Sequence, residues 1–352
     1  MEVRTGFQSR SSGKSAELVE EINQKIKDLI ALLGLDSSSL KGELLGQMIE
    51  TVLKMSDDSM DISQVKLMNR SLKEMRYAYS IFNEYHTKRC VSLFGSARTP
   101  SSHPDYKTAR DFGAAMAAEG WLCMTGAADG IMRAGLEGAT KEHSFGLSIR
   151  LPFESEARAF LEGDPKMITF RYFFTRKLMF LSYSDAIVAF PGGVGTQDEL
   201  FEALTLMQTG RSKIVPIILL SGEGDTYWLE WEHYLQNHLL AKRFICPEDQ
   251  NFYYRAPSIE QAVDHIKTFY SRYHSSRYVK DLLVIRLLTP LNSIQIEELN
   301  RDYSALVSEG DIYATPPLPE EDDHLELPRI AFAHSRKGYG LLRALIDKVN
   351  SF

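Results

Sequence analysis

Phe190-Pro191-Gly192-Gly193-Val194-Gly195-Thr196-Gln197-Asp198-Glu199 joins a short apolar run, Ala186 to Phe190, to an amphipathic stretch, Thr196 to Gln208, through a glycine-rich turn. A strand that ends in glycines and opens a helix is the punctuation of a parallel α/β sheet. Three glycines in four positions let backbone N–H groups approach an anion without a Cβ in the way. Aligned peptide dipoles at the helix start favour a phosphate there by up to roughly 2 kcal/mol when partly buried. Gly192, Gly193, Val194, Gly195 and Thr196 are therefore candidate phosphate contacts, with Thr196 able to cap the helix or donate its hydroxyl to the same group. A tight turn without a ligand is the plainer alternative, and a simple turn rarely needs three glycines.

The same texture extends outward. Strands are expected at Cys90 to Phe94, Trp121 to Thr125, Phe145 to Ile149, Ala186 to Phe190 and Ile214 to Leu220. Helical patterns separate most of them, at Tyr106 to Glu119, Gly130 to Thr140, Phe173 to Ser182 and Thr196 to Gln208. The fold class expected is α/β, a Rossmann-like doubly wound parallel sheet, which binds ligands at the carboxyl ends of its strands. Two more glycine turns fall at such ends. Phe94-Gly95-Ser96-Ala97-Arg98 offers Gly95 and Ser96, and Thr125-Gly126-Ala127-Ala128-Asp129-Gly130 offers Gly126. Neither reads G-x-G-x-x-G, so neither supports NAD or FAD.

Just inside the third helix stand Asp198 and Glu199. Neighbouring helical residues point about 100 degrees apart, so only one of the two carboxylates can face a ligand at the helix start. Acids in a first turn also serve merely to offset the dipole. Arg176 and Lys177 form a basic pair in the otherwise apolar stretch Phe173 to Phe180, for which a surface salt bridge is the plainer reading. The nine histidines and three cysteines show no metal-ligand spacing, so no metal and no cofactor is expected, and no Ser/His/Asp order suggests a serine hydrolase.

The chain has 352 residues, 44% hydrophobic and 25% charged, which excludes fibrous and largely disordered classes. A formal charge of -7 gives no basic footprint for nucleic acid. No apolar run is long enough to span a bilayer, and Met1 to Lys14 is polar, so a cytoplasmic protein without membrane contact is expected. Gly13-Lys14-Ser15 fails as a P-loop because Gln8 stands where a glycine is needed. Three regions follow: a helical N-terminal extension at 1–88, the nucleotide-binding domain at 89–274, and a small α+β C-terminal extension at 275–352. A helix is expected at Ser258 to Tyr270, late in the second region, and in the last region helices at Ser293 to Leu306 and Gly338 to Val349, a strand at Leu282 to Leu287, and a Pro-rich loop at Thr315 to Glu326.

Pro191-Gly192-Gly193-Val194-Gly195-Thr196-Gln197-Asp198-Glu199 resembles the P-G-G-x-G-T-x-x-E signature of the LOG ("lonely guy") family, whose older members were labelled lysine decarboxylases. Thr175-Arg176-Lys177-Leu178-Met179 resembles that family's R-K-x-x-M motif, with the methionine one position early, and the likeness continues through Glu202, Thr205, Gln208 and Gly210. The resemblance covers about Val91 to Leu240, and the extended ends are similar to longer bacterial nucleotide 5′-monophosphate nucleosidases. It implies a homodimeric phosphoribohydrolase that splits a nucleoside 5′-monophosphate into free base and ribose 5-phosphate. It assigns catalysis to Arg176 and Glu199, the phosphate loop to Gly192 through Thr196, and further ligand contacts to Asp198 and Thr205, with Lys177 beside them. One departure stands out. The family's second loop reads T-G-G-G-x-G, whereas Ala127, Ala128 and Asp129 here add two methyls and an acid that would crowd or repel a phosphate. That departure keeps a rival open, a non-catalytic carrier of a nucleotide or of molybdenum cofactor.

Overall fold

The computed structural model describes residues 16–56, 58–150 and 160–352. Met1 to Lys14, with its excluded P-loop reading, lies outside them. The chain divides into two compact units, with the break between Glu74 and Met75.

In the first unit, α1 (Ala16–Leu32) and α2 (Leu40–Lys54) are followed by α3 (Ile62–Phe82), whose last turns belong to the second unit. Ser39 starts α2 by accepting the Gly42 N–H at 3.2 Å. Ile26 and Ile30 of α1 are buried against Gly46 of α2, where even an added Cβ would meet them only at ordinary contact distance.

The second unit is built on a seven-stranded parallel sheet in the order β4-β3-β2-β1-β5-β6-β7. The strands are β1 (Cys90–Phe94), β2 (Leu122–Thr125), β3 (Ser144–Ile149), β4 (Met167–Phe170), β5 (Ala186–Ala189), β6 (Ile217–Leu219) and β7 (Tyr253–Arg255). Crossovers include α4 (Pro104–Ala118), α5 (Ile131–Ala139), α6 (Phe173–Tyr183), α7 (Val194–Gln208) and α8 (Tyr227–Tyr234), and α9 (Ile259–Phe269) follows β7. Leu93 and Val188 join one apolar cluster while their neighbours Phe94 and Ile187 join the other, as the two-residue period of a strand covered on both faces requires. The chain leaves β1 toward β2 on one side and later returns to β5 on the other. Their diverging carboxyl ends open the crevice where such folds hold ligands.

The expected α/β architecture is present, and the five expected strands appear within three residues of their expected ends. Strands β4 and β7 were not expected. Both are edge strands of three or four residues with exposed positions, so neither shows the continuous apolar run of a central strand.

The C-terminal extension forms a four-stranded antiparallel sheet in the order β10-β11-β9-β8, from β8 (Tyr273–Val279), β9 (Leu282–Leu287), β10 (Val307–Thr315) and β11 (Arg329–His334). Helices α10 (Ser293–Tyr303) and α11 (Tyr339–Ser351) accompany it, and Ile285, Phe332 and Leu345 share a core cluster with Phe145 and Ile187 of the parallel sheet. Of its strands only β9 was expected. The Pro-rich loop is anchored by buried Glu321, which meets Arg286 at 2.8 Å and Arg329 at 2.5 Å. Among the described residues no helix is long and apolar enough to cross a membrane, and no group of three or more His, Cys, Asp or Glu is placed to hold a metal.

Candidate functional site

The three glycine loops interlock at the carboxyl ends of β1, β2 and β5. Ser96 donates its N–H to the Pro191 carbonyl at 3.1 Å and accepts the Ile131 N–H at 3.0 Å, tying the first loop to the other two. The absence of a Cβ is what permits this nesting. On Gly95 a Cβ would strike Ile131 at 2.5 Å, and on Gly192 it would strike Thr196 Oγ1 at 2.2 Å and the Ser96 nitrogen at 3.0 Å. Gly193 and Gly195 differ, because a Cβ on either would meet nothing within 4 Å. Gly195 lies inside α7, where glycine costs about 1 kcal/mol relative to alanine, and no packing explains it. Those two glycines, beside exposed Val194, are the part of the loop left open to a ligand.

Two adjacent residue pairs divide between structure and site. Asp198 points outward, whereas Glu199 is 7% exposed and turned in, which settles the choice that helical spacing left open. Lys177 binds Asp198 and Glu202, each at 2.6 Å, so the salt-bridge reading holds for it and occupies its ammonium. Arg176 turns inward instead. One of its terminal nitrogens lies 3.5 Å from where a Cβ on Gly126 would stand, and the other is 3.9 Å from Glu199 Oε1. It thus spans the space between the second loop and the glutamate. That contact is too long for a hydrogen bond, and both Arg176 Nε and Glu199 Oε2 are buried without a protein partner.

Burial pushes the Glu199 carboxyl up to about 7, against the pull of Lys177 and Arg176. It also presses the Arg176 guanidinium below its usual value, with Glu199 opposing. An under-bonded buried carboxylate costs stability, and such arrangements concentrate at functional sites. The pair can stabilise positive charge that develops beside it and can exchange a proton near neutrality.

Ala127 has φ of +49° and is 2% exposed, and its side chain packs with Leu136 and Leu161. Its methyl therefore points into the core, which corrects the expectation that it crowds a phosphate. Thr205 is exposed, bonds back to the Phe201 carbonyl at 2.7 Å, and is not brought to the loop.

One contributor carried no sequence signal. Tyr227 donates its hydroxyl to the Gly192 carbonyl at 2.6 Å and accepts from Gln197 Nε2 at 2.7 Å, while Trp231 donates to Gln197 Oε1 at 2.9 Å. This chain of hydrogen bonds fixes the outer wall of the loop. Tyr227→Phe removes two bonds and is expected to weaken binding of a phosphate-bearing ligand at the loop about fivefold to tenfold, or ~1 kcal/mol, in equilibrium dialysis. Unchanged affinity would show that the loop keeps its shape without the tyrosine.

Residues 124–266 match the family described as possible lysine decarboxylase. A cytokinin riboside 5′-monophosphate phosphoribohydrolase of Arabidopsis thaliana is 32% identical over 28% of this chain and 44% of its own length. One from Rhodococcoides fascians is 32% identical over 26% of this chain and 45% of its own length, so the chain spans less than half of either relative. Among solved structures, a Moco carrier protein from Chlamydomonas reinhardtii is 19% identical over 51% of this chain and 96% of its own, with a TM-score of 0.35. The chain therefore carries a LOG-type domain of the possible lysine decarboxylase family, distantly homologous to the cytokinin riboside 5′-monophosphate phosphoribohydrolases.

Proposed function

We propose that this chain hydrolyses the N-glycosidic bond of a nucleoside 5′-monophosphate, releasing free base and ribose 5-phosphate. The observation that carries the reading is the buried, under-bonded Glu199 facing Arg176, about one helical turn in from the exposed glycines Gly193 and Gly195, where an added Cβ would meet nothing within 4 Å. The 5′-phosphate sits on the open N–H groups of the loop and the start of α7. The ribose then lies toward Glu199.

As the C1′–N bond breaks, its electron pair leaves with the base and positive charge grows on the sugar ring. The Glu199 carboxylate stabilises that charge and takes a proton from the water that adds to C1′. The departing base nitrogen takes up a proton from solvent and Glu199 returns its proton to solvent, so the step balances as base plus ribose 5-phosphate. Arg176 grips the phosphate or ribose and holds the glutamate in place. Such proton transfer contributes a factor of about 100 to 10,000, and positioning by the loop supplies much of the rest. Assembly as a homodimer belongs to the same proposal, and sedimentation of the full chain tests it.

The deciding experiment incubates the protein with AMP, GMP, IMP, CMP, UMP and isopentenyl-AMP and follows free base by chromatography. Base release supports the hydrolase and names its substrate. Nucleotides that bind but remain intact would replace it with the second reading, a carrier, which Ala128 and Asp129 in the second loop favour. A companion variant isolates the phosphate loop. Gly193 is the residue before α7, has an ordinary φ of -84° and open surroundings, so Gly193→Asp fits the fold. Its carboxylate occupies the anion position, and 5′-monophosphate binding is expected to fall at least about 100-fold with no loss of melting temperature.

A further inference from the structure

At the opposite end of the parallel sheet from the phosphate loop, the residues preceding β1, β5 and β6 meet β8 around a cavity of about 430 Å³. Lys88, Arg89 and Lys213 line it from the parallel sheet, and His274 and His324 from the C-terminal extension. The acid in its lining, Asp185, accepts the Cys90 N–H at 3.0 Å through Oδ2 and meets Lys213 at 2.9 Å through Oδ1, so that pair offsets itself and Lys88 and Arg89 carry the remaining positive charge. Arg89 stacks on the ring of Tyr270, 3.5 Å from its centroid. That contact orients the guanidinium without neutralising it.

Two histidine rings face each other across the same lining. The His274 and His324 rings are 4.5 Å apart, and Glu326 stands 3.8 Å from His324. Burial first, and then His324, Arg89 and Arg286, press the His274 imidazole below its usual value, with only Glu326 opposing. Cations gathered in a concave, partly desolvated space attract a multiply charged anion more strongly than the same charges spread over a surface. The volume exceeds what inorganic phosphate needs and lies in the range of small-ligand sites, roughly 300–1,000 Å³.

We infer that this cavity is a second ligand site, for a small molecule bearing two or more phosphate groups, at the seam between the parallel sheet and the C-terminal sheet. It is separate from the candidate hydrolytic site, since its residues precede the strands whose far ends carry the glycine loops.

Equilibrium dialysis with labelled inorganic pyrophosphate at physiological ionic strength tests it, using the full chain with Gly193→Asp so that the phosphate loop is closed. Pyrophosphate is expected to bind still. Adding Lys88→Glu is expected to weaken binding at least tenfold, whereas Lys107→Glu, an exposed reversal on α4 outside the cavity, changes it less than twofold. Both lysines are exposed, so neither reversal threatens the fold. Binding that vanishes with Gly193→Asp alone would overturn the inference, as would equal losses from the two reversals, which would mark a diffuse surface field.

Discussion

Replacing Glu199 by glutamine is expected to lower base release about 1,000-fold or more, to leave 5′-monophosphate binding within a few-fold, and to stabilise the chain above pH 7. The three effects share one cause. Glutamine keeps the size and removes the charge, so the developing positive charge on the sugar loses its partner while the phosphate loop is untouched. The folded carboxyl titrates at about 7, against an ordinary value of 4.5. Between those values the folded protein holds a proton that the unfolded chain has released, so stability falls as pH climbs through that window and stays low above it. A shift of about 2.5 units corresponds to a penalty on the order of 3 kcal/mol. The stability gap between variant and parent is therefore near zero at pH 4 and largest from pH 8 upward, which calorimetry at several pH values reads directly. The parent's kcat/KM should rise to a plateau above about pH 7 as the carboxylate forms, and the variant should lack that limb. Parallel stability curves from pH 4 to 8 would mean that the glutamate does not carry a buried charge. Undiminished base release would remove it from the chemistry.

The second and third loops were legible because each combines a buried strand, a glycine and a helix start, three local signals that agree, whereas after the first loop the next helix begins only at Pro104. Adjacent residues were harder. Spacing alone limits Asp198 and Glu199 to one inward carboxylate, and only packing shows that it is Glu199, with Asp198 drawn outward to Lys177. Arg176 and Lys177 divide by the same helical geometry. Tyr227 reaches Gly192 from 35 residues away in a segment without a motif, so no local pattern could reveal it. Strands β8 and β10 are polar or half-buried along most of their length, and pairing with β9 and β11 rather than propensity makes them strands. Ala127 misled for a stereochemical reason: in the left-handed region its Cβ swings toward Leu136 and Leu161, so a methyl that looks intrusive in the sequence is a core contact.

Gly130→Ala is expected to cost at least about 3 kcal/mol of stability, while Gly193→Ala costs less than about 0.5 kcal/mol yet weakens 5′-monophosphate binding about tenfold. Gly130 has φ of +65° and ψ of -132°, a region that residues with a side chain enter only at about 1–3 kcal/mol. Its Cβ would also lie 2.2 Å from the Ser96 carbonyl oxygen and 2.7 Å from the Ala97 carbonyl carbon, both backbone atoms. Relief requires the first and second loops to part, which breaks the Ile131 N–H bond to Ser96 and typically adds a further 1–3 kcal/mol. Because Ser96 also holds Pro191, parting those loops shifts the phosphate loop as well, and binding should fall together with stability. At Gly193 neither cost applies, since φ is negative and a Cβ touches nothing, so only a ligand can feel the methyl. Chemical denaturation and nucleotide titration of the two variants thus separate glycine that serves the fold from glycine that serves the ligand. If Gly193→Ala binds as tightly as the parent, the open part of the loop is not where the phosphate rests.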